Sequence, residues 1–139
     1  MSDDSTIRRI LTEAKTIAVV GWSPRAERPS HGVAALLAAR GHRVIAVNPG
    51  QAGQHALGGV VRASLAEAAR HDGPIDMVDI FRRSEEAGAA VDDAIAIGAR
   101  AVWLQLGVID ASAAARARAA GLEVVMDRCP VIEIARLGL

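Results

Sequence analysis

The sequence predicts a three-layer α/β/α sandwich built on a five-stranded parallel sheet. Short runs of apolar, mostly β-branched residues alternate with longer alanine-rich stretches, and five such runs occur along the chain. Hydrophobic residues make up 51% of the 139 residues, largely as small aliphatic side chains that suit helices packed closely on a sheet. Because parallel strands are joined by right-handed crossovers, we expect a single Rossmann-type domain over residues 1–139 with strand order 3-2-1-4-5.

Strand and helix signals alternate in a regular order. Each predicted strand is a buried apolar run, and the five runs cover residues 16–20, 43–47, 75–81, 101–106 and 122–126. A first helix is expected at roughly residues 5–15, and later helices begin at residues that can cap them, namely Ser30, Ser64, Ser84 and Asp110. Pro130 fits the first turn of a final helix. The stretch 51–62, which has four glycines if Gly50 is counted with it, is expected to be an irregular loop.

Composition argues against several classes of protein. Sixteen basic and sixteen acidic residues give a formal net charge of zero, unlike the basic field of a general nucleic-acid binder. No apolar run approaches the ~20 residues of a membrane-spanning helix. Cys129 is the only cysteine, so no intrachain disulfide can form. Met1 is followed by the polar and acidic residues Ser2, Asp3 and Asp4, unlike the basic and then apolar start of a signal peptide. We expect a soluble cytoplasmic protein without nucleic-acid or membrane partners; the sequence identifies no protein partner.

The segments that follow the predicted strands collect the chemically distinctive residues. Open parallel sheets bind ligands outside the carboxyl ends of their strands, where the strand order reverses. The segments at that edge are residues 21–30, Asn48-Pro49, Phe81-Arg82-Arg83, Gln105-Leu106-Gly107 and residues 127–130. They include the single phenylalanine, the single cysteine and several arginines. The alternative is that these are ordinary polar loops with solvated arginines.

The loop after the first strand has the features of a phosphate site. A helix N-terminus offers unpaired N–H groups and a partial positive charge, and Gly21 allows the backbone to turn sharply. Ser23 and Ser30 add hydroxyl groups, while Arg25 and Arg28 add fixed charge. On a purely structural interpretation, Ser30 is only a helix cap and the prolines only stiffen the loop.

Two departures from the dinucleotide-binding fingerprint narrow the choice of ligand. Ser23 and Ala26 stand where G-x-G-x-x-G requires glycine, and the second strand ends in Asn48-Pro49 rather than in a carboxylate for the ribose hydroxyls. NAD is therefore disfavoured, whereas arginine near a ribose can bind the ribose phosphate of coenzyme A or NADP. Spacing alone does not separate those two. Phe81 with Arg82, on a strand expected at the sheet edge, could seat adenine; alternatively Phe81 is core and the arginines are surface.

Six segments together resemble the small coenzyme A-binding protein family, whose domain is similar to the N-terminal domain of the succinyl-CoA synthetase α subunit. In family order they are VVGWS (19–23), ERPS (27–30), VNP (47–49), VDIFRRSE (78–85), VWLQLG (102–107) and VMDRCP (125–130). The resemblance implies that coenzyme A is the cofactor, with its phosphates near Gly21, Trp22, Ser23, Arg28 and Ser30. It also implies that the adenosine end of the cofactor is lined by Asn48, Pro49, Phe81 and Arg82. The pantetheine arm would be flanked by Gln105 and Gly107. Many members follow Asn-Pro with lysine, but Gly50 follows here.

No catalytic or metal-binding constellation is evident, so we expect non-catalytic binding of coenzyme A or an acyl-CoA. The four histidines lack metal-ligand spacing. Asp76 and Asp79 are three apart in a strand and therefore face opposite sides; Asp79 is expected to accept hydrogen bonds at the sheet edge. Cys129 is either a small buried hydrophobe or lies near the cofactor thiol and can form a mixed disulfide with it. The alternatives are an NADP-dependent reductase or thioester-processing enzyme, and an accessory protein-interaction subunit without cofactor.

Overall fold

The computed structural model describes residues 3–139, so Met1 and Ser2 of the predicted domain lie outside the described residues. Five strands alternate with α-helices along the described chain as the sequence predicts, and two short strands that it does not predict lie between the second of them and the next helix. The strands are β1 (Thr16–Val20), β2 (Arg43–Val47), β3 (His55–Ala56), β4 (Gly59–Val60), β5 (Met77–Ile80), β6 (Ala101–Leu104) and β7 (Glu123–Met126). The helices are α1 (Asp4–Glu13), α2 (Pro29–Ala39), α3 (Leu65–Asp72), α4 (Ser84–Ala96), α5 (Ala111–Ala119) and α6 (Pro130–Leu137).

The main sheet has five parallel strands in the order β2-β1-β5-β6-β7. The α/β/α Rossmann-type class is therefore confirmed. The expected order 3-2-1-4-5 is wrong, because the third predicted strand, β5, lies between β1 and β6 instead of outside β2. All four residues of β5 are buried, as befits an interior strand, whereas Arg43 at the start of β2 is exposed.

The helix layers give the physical reason for this order. Helix α2, between β1 and β2, buries Val33 and Leu37 on one side of the sheet, while α3 buries Leu65 and Ala68 on the other side. Right-handed crossovers on opposite faces carry the chain in opposite directions across a sheet. The strand after α3 must therefore return past β1, and this reversal creates a switch point between β1 and β5.

Helix starts agree with the sequence at two positions and differ at two. Ser64 and Asp110 are N-caps whose side chains accept hydrogen bonds from the backbone N–H groups of Glu67 and Ala113. Ser30 and Ser84 are not caps, because α2 and α4 each begin one residue after an arginine. The serines instead fall inside the first turn, and their hydroxyl groups bond to neighbouring loops.

The stretch 51–62 is more ordered than expected. It begins at the end of a short 3₁₀ turn, Pro49–Gln51, and contains an antiparallel hairpin formed by β3 and β4. The hairpin leads to Arg62, whose backbone bridges to β2 and whose guanidinium binds both carboxylate oxygens of Asp72 at 2.8 and 3.0 Å. The segment therefore extends the β2 edge of the sheet.

Two apolar layers enclose the sheet. The layer beneath α3, α4 and α5 consists of alanine, valine, leucine and isoleucine, with half-buried Met126 at its margin. The layer beneath α1, α2 and α6 contains Trp22, Trp103 and Cys129. No helix within residues 3–139 is long and apolar enough to cross a membrane.

Candidate functional site

A cavity of about 760 Å³ lies over the carboxyl ends of β1, β5, β6 and β7, beside α2 and α6. This is the crevice at the switch point, where open α/β sheets bind ligands. The structure brings most of the predicted site residues together around it. Those that line the cavity are Gly21, Ser23, Arg28, Ser30, Phe81, Arg82, Gln105 and Cys129.

Gly21 makes the turn that opens the cavity. Its φ is +85°, and a Cβ at this position would lie 2.1 Å from the carbonyl oxygen of Phe81. Its N–H donates to the carbonyl oxygen of Val47 at 2.9 Å, so the turn contacts both strands that flank β1. A side chain here would separate β1 from β5, which explains why glycine is required.

The loop after this turn folds back onto the N-terminus of α2. The hydroxyl of Ser30 accepts a hydrogen bond from the N–H of Ser23 at 3.1 Å, and the hydroxyl of Ser23 accepts one from the N–H of Arg25 at 3.2 Å. His31 Nδ1 lies 3.0 Å from the carbonyl oxygen of Ser23. The loop therefore holds the positive end of α2 and the Ser23 hydroxyl at the cavity.

Of the four arginines that line the cavity, two form ion pairs with glutamates and two do not. Arg25 binds Glu27 at 2.9 Å, and the Nε of Arg83 binds Glu86 at 2.8 Å. Within residues 3–139, Arg28 and Arg82 have no carboxylate partner. Their uncompensated charge makes this part of the cavity suited to an anion.

The far side of the cavity has a different chemistry. Gln105 is only 7% exposed, and its Oε1 has no hydrogen-bond partner within the described chain. A buried amide oxygen without a partner is costly, so it marks a place where a ligand N–H or O–H could bind. Cys129, the N-cap residue of α6, brings a buried thiol to the same cavity.

A second cavity of about 390 Å³ adjoins the first across the sheet edge. It lies on the side of α3 and α4 and is lined by Pro49, Ser64 and Glu86, among others. Arg82 lines both cavities. A long ligand could therefore cross the carboxyl edge at Arg82 and occupy both sides of the sheet.

Three predicted site residues do not line either cavity. Trp22 is buried, stacks on His31 with ring centroids 6.0 Å apart, and leaves its indole N–H without a partner in the described chain. Asn48 donates from Nδ2 to the carbonyl oxygen of Trp22 at 2.7 Å and accepts from the N–H of Gly50. Gly107 donates from its N–H to Asp127 Oδ1 at 2.7 Å. These residues shape the loops around the cavities.

Sequence reasoning missed the apolar part of the lining. Val33, Val108 and Ile132 also face the large cavity, and none of them belongs to a recognisable motif. Position along the chain could have indicated Ile132, because it lies in the first turn of α6, the helix that follows the last strand at the carboxyl edge.

Asp79 lies deeper in the same face of β5 as Phe81. It pairs in register with Val19 and Trp103, is fully buried, and neither carboxylate oxygen has a partner in the described chain. The expectation that it accepts hydrogen bonds at the sheet edge is wrong, because β5 is an interior strand. Burial raises the pKa of Asp79 well above its ordinary value, which favours a neutral carboxylic acid.

The cavity lining has binding groups but few groups for acid–base chemistry. Within residues 3–139 it includes arginine, serine and glutamine side chains and one thiol, and no aspartate, glutamate, histidine or lysine. No cluster of histidine, cysteine and carboxylate side chains in the same range could hold a metal ion. The arrangement can bind an anion at one end and a neutral polar group near Gln105.

Comparison with known proteins identifies a family and several relatives of this chain. A family model described as a CoA binding domain matches residues 15–135. The chain is 38% identical over 123 residues to the uncharacterized protein YneT of Bacillus subtilis (strain 168), covering 88% of this chain and 87% of that protein. Cell-free ID.343 from Thermus thermophilus is similar at a TM-score of 0.90 and 34% identity, over 98% of this chain and 99% of that one. A hypothetical protein from Pyrococcus horikoshii OT3 is similar at a TM-score of 0.88 and 34% identity, over 99% of this chain and 94% of that one.

Proposed function

The chain belongs to the CoA-binding domain family, and on that premise we propose that it binds coenzyme A or an acyl-CoA across the carboxyl edge of its sheet without catalysing a reaction on it. The observation that supports this most strongly is the composition of the switch-point cavity. Two arginines without carboxylate partners lie beside a helix N-terminus, and a buried amide oxygen without a partner lies beyond them. Coenzyme A has anionic phosphates joined to an arm with amide N–H groups, so its chemistry matches both ends.

The phosphates would bind at the loop between β1 and α2. Arg28 and the Ser23 hydroxyl line the cavity there, and the N-terminus of α2 adds its partial positive charge. Arg82 stands between the two cavities and could bind a second phosphate. A diphosphate and a ribose phosphate on one ligand would use both arginines.

The two ends of the cofactor would extend to opposite sides of this anion site. The adenosine end would enter the smaller cavity beside Pro49, with Phe81 and Arg82 at its entrance. The pantetheine arm would pass Gln105, whose Oε1 would accept a hydrogen bond from an amide N–H of the arm. Asn48, Trp22 and Gly107 would act indirectly by fixing the loops.

Binding without catalysis is part of the proposal. A general acid or base must lie within hydrogen-bond reach of the reacting group, and the described lining of the large cavity, where the thioester end would lie, contains no carboxylate or imidazole. We also propose that the protein is cytoplasmic, because a single cysteine suits a reducing compartment. The expected ligand is of the nucleotide type.

A ligand panel tests the proposal. Native mass spectrometry of the purified protein would reveal a copurified ligand, and calorimetry would compare coenzyme A, dephospho-coenzyme A, NADP and NAD. We expect coenzyme A to bind most tightly and loss of its ribose phosphate to weaken binding. Tightest binding to NADP would reject coenzyme A as the ligand, and no binding of any of the four would favour an accessory subunit without cofactor. Thioester hydrolysis above the buffer rate, measured with acetyl-CoA, would reject a non-catalytic role.

A further inference from the structure

The lining of the large cavity changes from basic to apolar along the sheet. The residues near β1 and β5 include Ser23, Arg28 and Arg82, whereas those after β6 and β7 include Leu106 and Ile132. Adjacent strands lie about 4.8 Å apart, so the three steps from β1 to β7 span roughly 14 Å. The cavity is therefore amphiphilic along its length, with its arginines after β1 and β5 and no charged side chain of the described lining after β6 or β7.

The apolar end exposes large side chains. Leu106 is 59% exposed and Ile132 is 52% exposed, and both line the cavity together with buried Val108 and Cys129. A single exposed leucine is ordinary on a protein surface, but apolar side chains gathered at one cavity mouth mark a binding surface. A ligand anchored at the arginines and long enough to pass Gln105 would reach this surface with its far end.

We propose that this end of the cavity is an acyl subsite, so that the preferred ligand is an acyl-CoA whose hydrocarbon chain packs on Leu106 and Ile132. The inference rests on the proposed binding of coenzyme A. A free thiol at the end of the pantetheine arm would leave both side chains exposed, whereas a thioester-linked chain would cover them. The gradient of lining chemistry favours one amphiphilic small molecule over a protein partner, because an apolar protein surface would leave the arginines at the other end unpaired.

An acyl-chain series measures the subsite directly. Calorimetry with free coenzyme A and with its acetyl, butyryl and hexanoyl thioesters gives affinity against chain length, with chromatography to confirm that each thioester stays intact. Each methylene that is fully removed from water raises the affinity by up to about fourfold, or about 0.8 kcal/mol, and each methylene that is partly buried raises it by about twofold. Hexanoyl-CoA has four more methylenes than acetyl-CoA, so we expect it to bind roughly sixteenfold more tightly.

Two matched isoleucines locate the effect. Ile132 lines the cavity, while Ile109 is 53% exposed and does not line it. Ile132→Ser should reduce the ratio of hexanoyl-CoA to acetyl-CoA affinity by about threefold or more, whereas Ile109→Ser should leave that ratio unchanged.

The outcomes separate this inference from the function on which it rests. A flat acyl series with tight binding of free coenzyme A would overturn the acyl subsite and leave the proposed function intact. No binding of any thioester or of coenzyme A would reject both. Equal effects of the two serine variants, accompanied by a change in oligomeric mass, would assign the apolar side chains to contact between copies of the chain and overturn the subsite.

Discussion

The two apolar layers of this protein differ in what they bury. The layer beneath α3, α4 and α5 buries aliphatic side chains, with fully buried Val78, Val91 and Leu104 near its centre. The layer beneath α1, α2 and α6 also buries both tryptophans, the cysteine and the carboxyl of Asp79. Buried polar atoms without partners in the described chain occur in Trp22, Asp79 and Gln105, the last of which lines the cavity on this side.

This difference separates stability from binding. An aliphatic layer stabilises a fold through burial alone, whereas unpartnered polar groups cost free energy and persist where they have another role. The large cavity and Arg28 lie on the side that carries this cost, while Arg82 lines the cavities on both sides. We therefore expect substitutions in the aliphatic layer away from the smaller cavity to change the free energy of unfolding, and substitutions around either cavity to change ligand affinity.

The largest effect should come from the aliphatic layer. Ile75 is buried next to the amino end of β5, at the opposite edge of the sheet from the cavity. Ile75→Ala should lower the free energy of unfolding by about 2–5 kcal/mol, as large-to-small core substitutions do. Chemical denaturation measures this, and Ile109→Ala at an exposed position is the control. A tenfold loss of coenzyme A affinity in the folded variant would contradict the separation of the two layers.

The next effect concerns charge in the cavity. Arg28→Ala should weaken coenzyme A binding by about 1–3 kcal/mol, the range for losing a charged hydrogen bond, with little change in stability. Arg118 is exposed on α5, away from the cavity, so Arg118→Ala controls for the loss of one positive charge. Equal affinities of the two variants in titration calorimetry would remove Arg28 from the site.

Asp79 should make stability depend on pH. Burial raises the folded-state pKa of Asp79, so as pH rises the unfolded chain loses this proton before the folded chain does. The contribution of Asp79 to stability is therefore fully present below about pH 4 and is lost as pH rises, by up to about 1.4 kcal/mol per pH unit. Asp79→Asn should gain stability relative to the wild type over the same range.

Denaturation of both proteins between pH 4 and pH 8 measures this slope. Exposed Asp93→Asn should show no comparable change relative to the wild type. Parallel stability curves for Asp79→Asn and the wild type would mean that Asp79 is ionised in the fold with a partner.

The smallest effect on the fold is expected at Cys129. Because its buried thiol lines the cavity, incubation with oxidised coenzyme A should form a Cys129–coenzyme A disulfide and release one coenzyme A thiol. Intact mass should show one adduct on the wild type and none on Cys129→Ser. Equal adducts on both proteins, or none on either, would reject the hypothesis.

Much of the fold could be predicted from local signals in the sequence. The strands 16–20 and 43–47 match the structure at both ends, because each is an apolar run bounded by residues that end it. The other three predicted strands differ by up to two residues at their ends, where backbone pairing covers less than the predicted run, and the short strands β3 and β4 were not predicted. Caps that depend on one side chain, as at Ser64, were predictable, but Ser30 was misassigned because the preceding Arg28-Pro29 already starts the helix.

The site residues likewise divide into those that local sequence could place and those that it could not. Position after a strand was enough to place Gly21, Phe81, Gln105 and Cys129 at one edge, since parallel strands all end on the same side. Sequence could not show that the side chains of Asn48 and Trp22 turn into the loop and the core, because their hydrogen bonds join segments distant along the chain.

The sequence by itself determined the alternation of strands and helices, the parallel sheet and the edge at which polar residues gather, because these follow from periodicity and turn residues within a few positions. Only the tertiary structure decided that α3 packs on the face opposite α2. That choice sets the direction of the crossover, places β5 beside β1, buries Asp79 in the sheet interior and opens the cavity at the switch point. It depends on the sum of contacts across the whole sheet, which no local pattern in the chain contains.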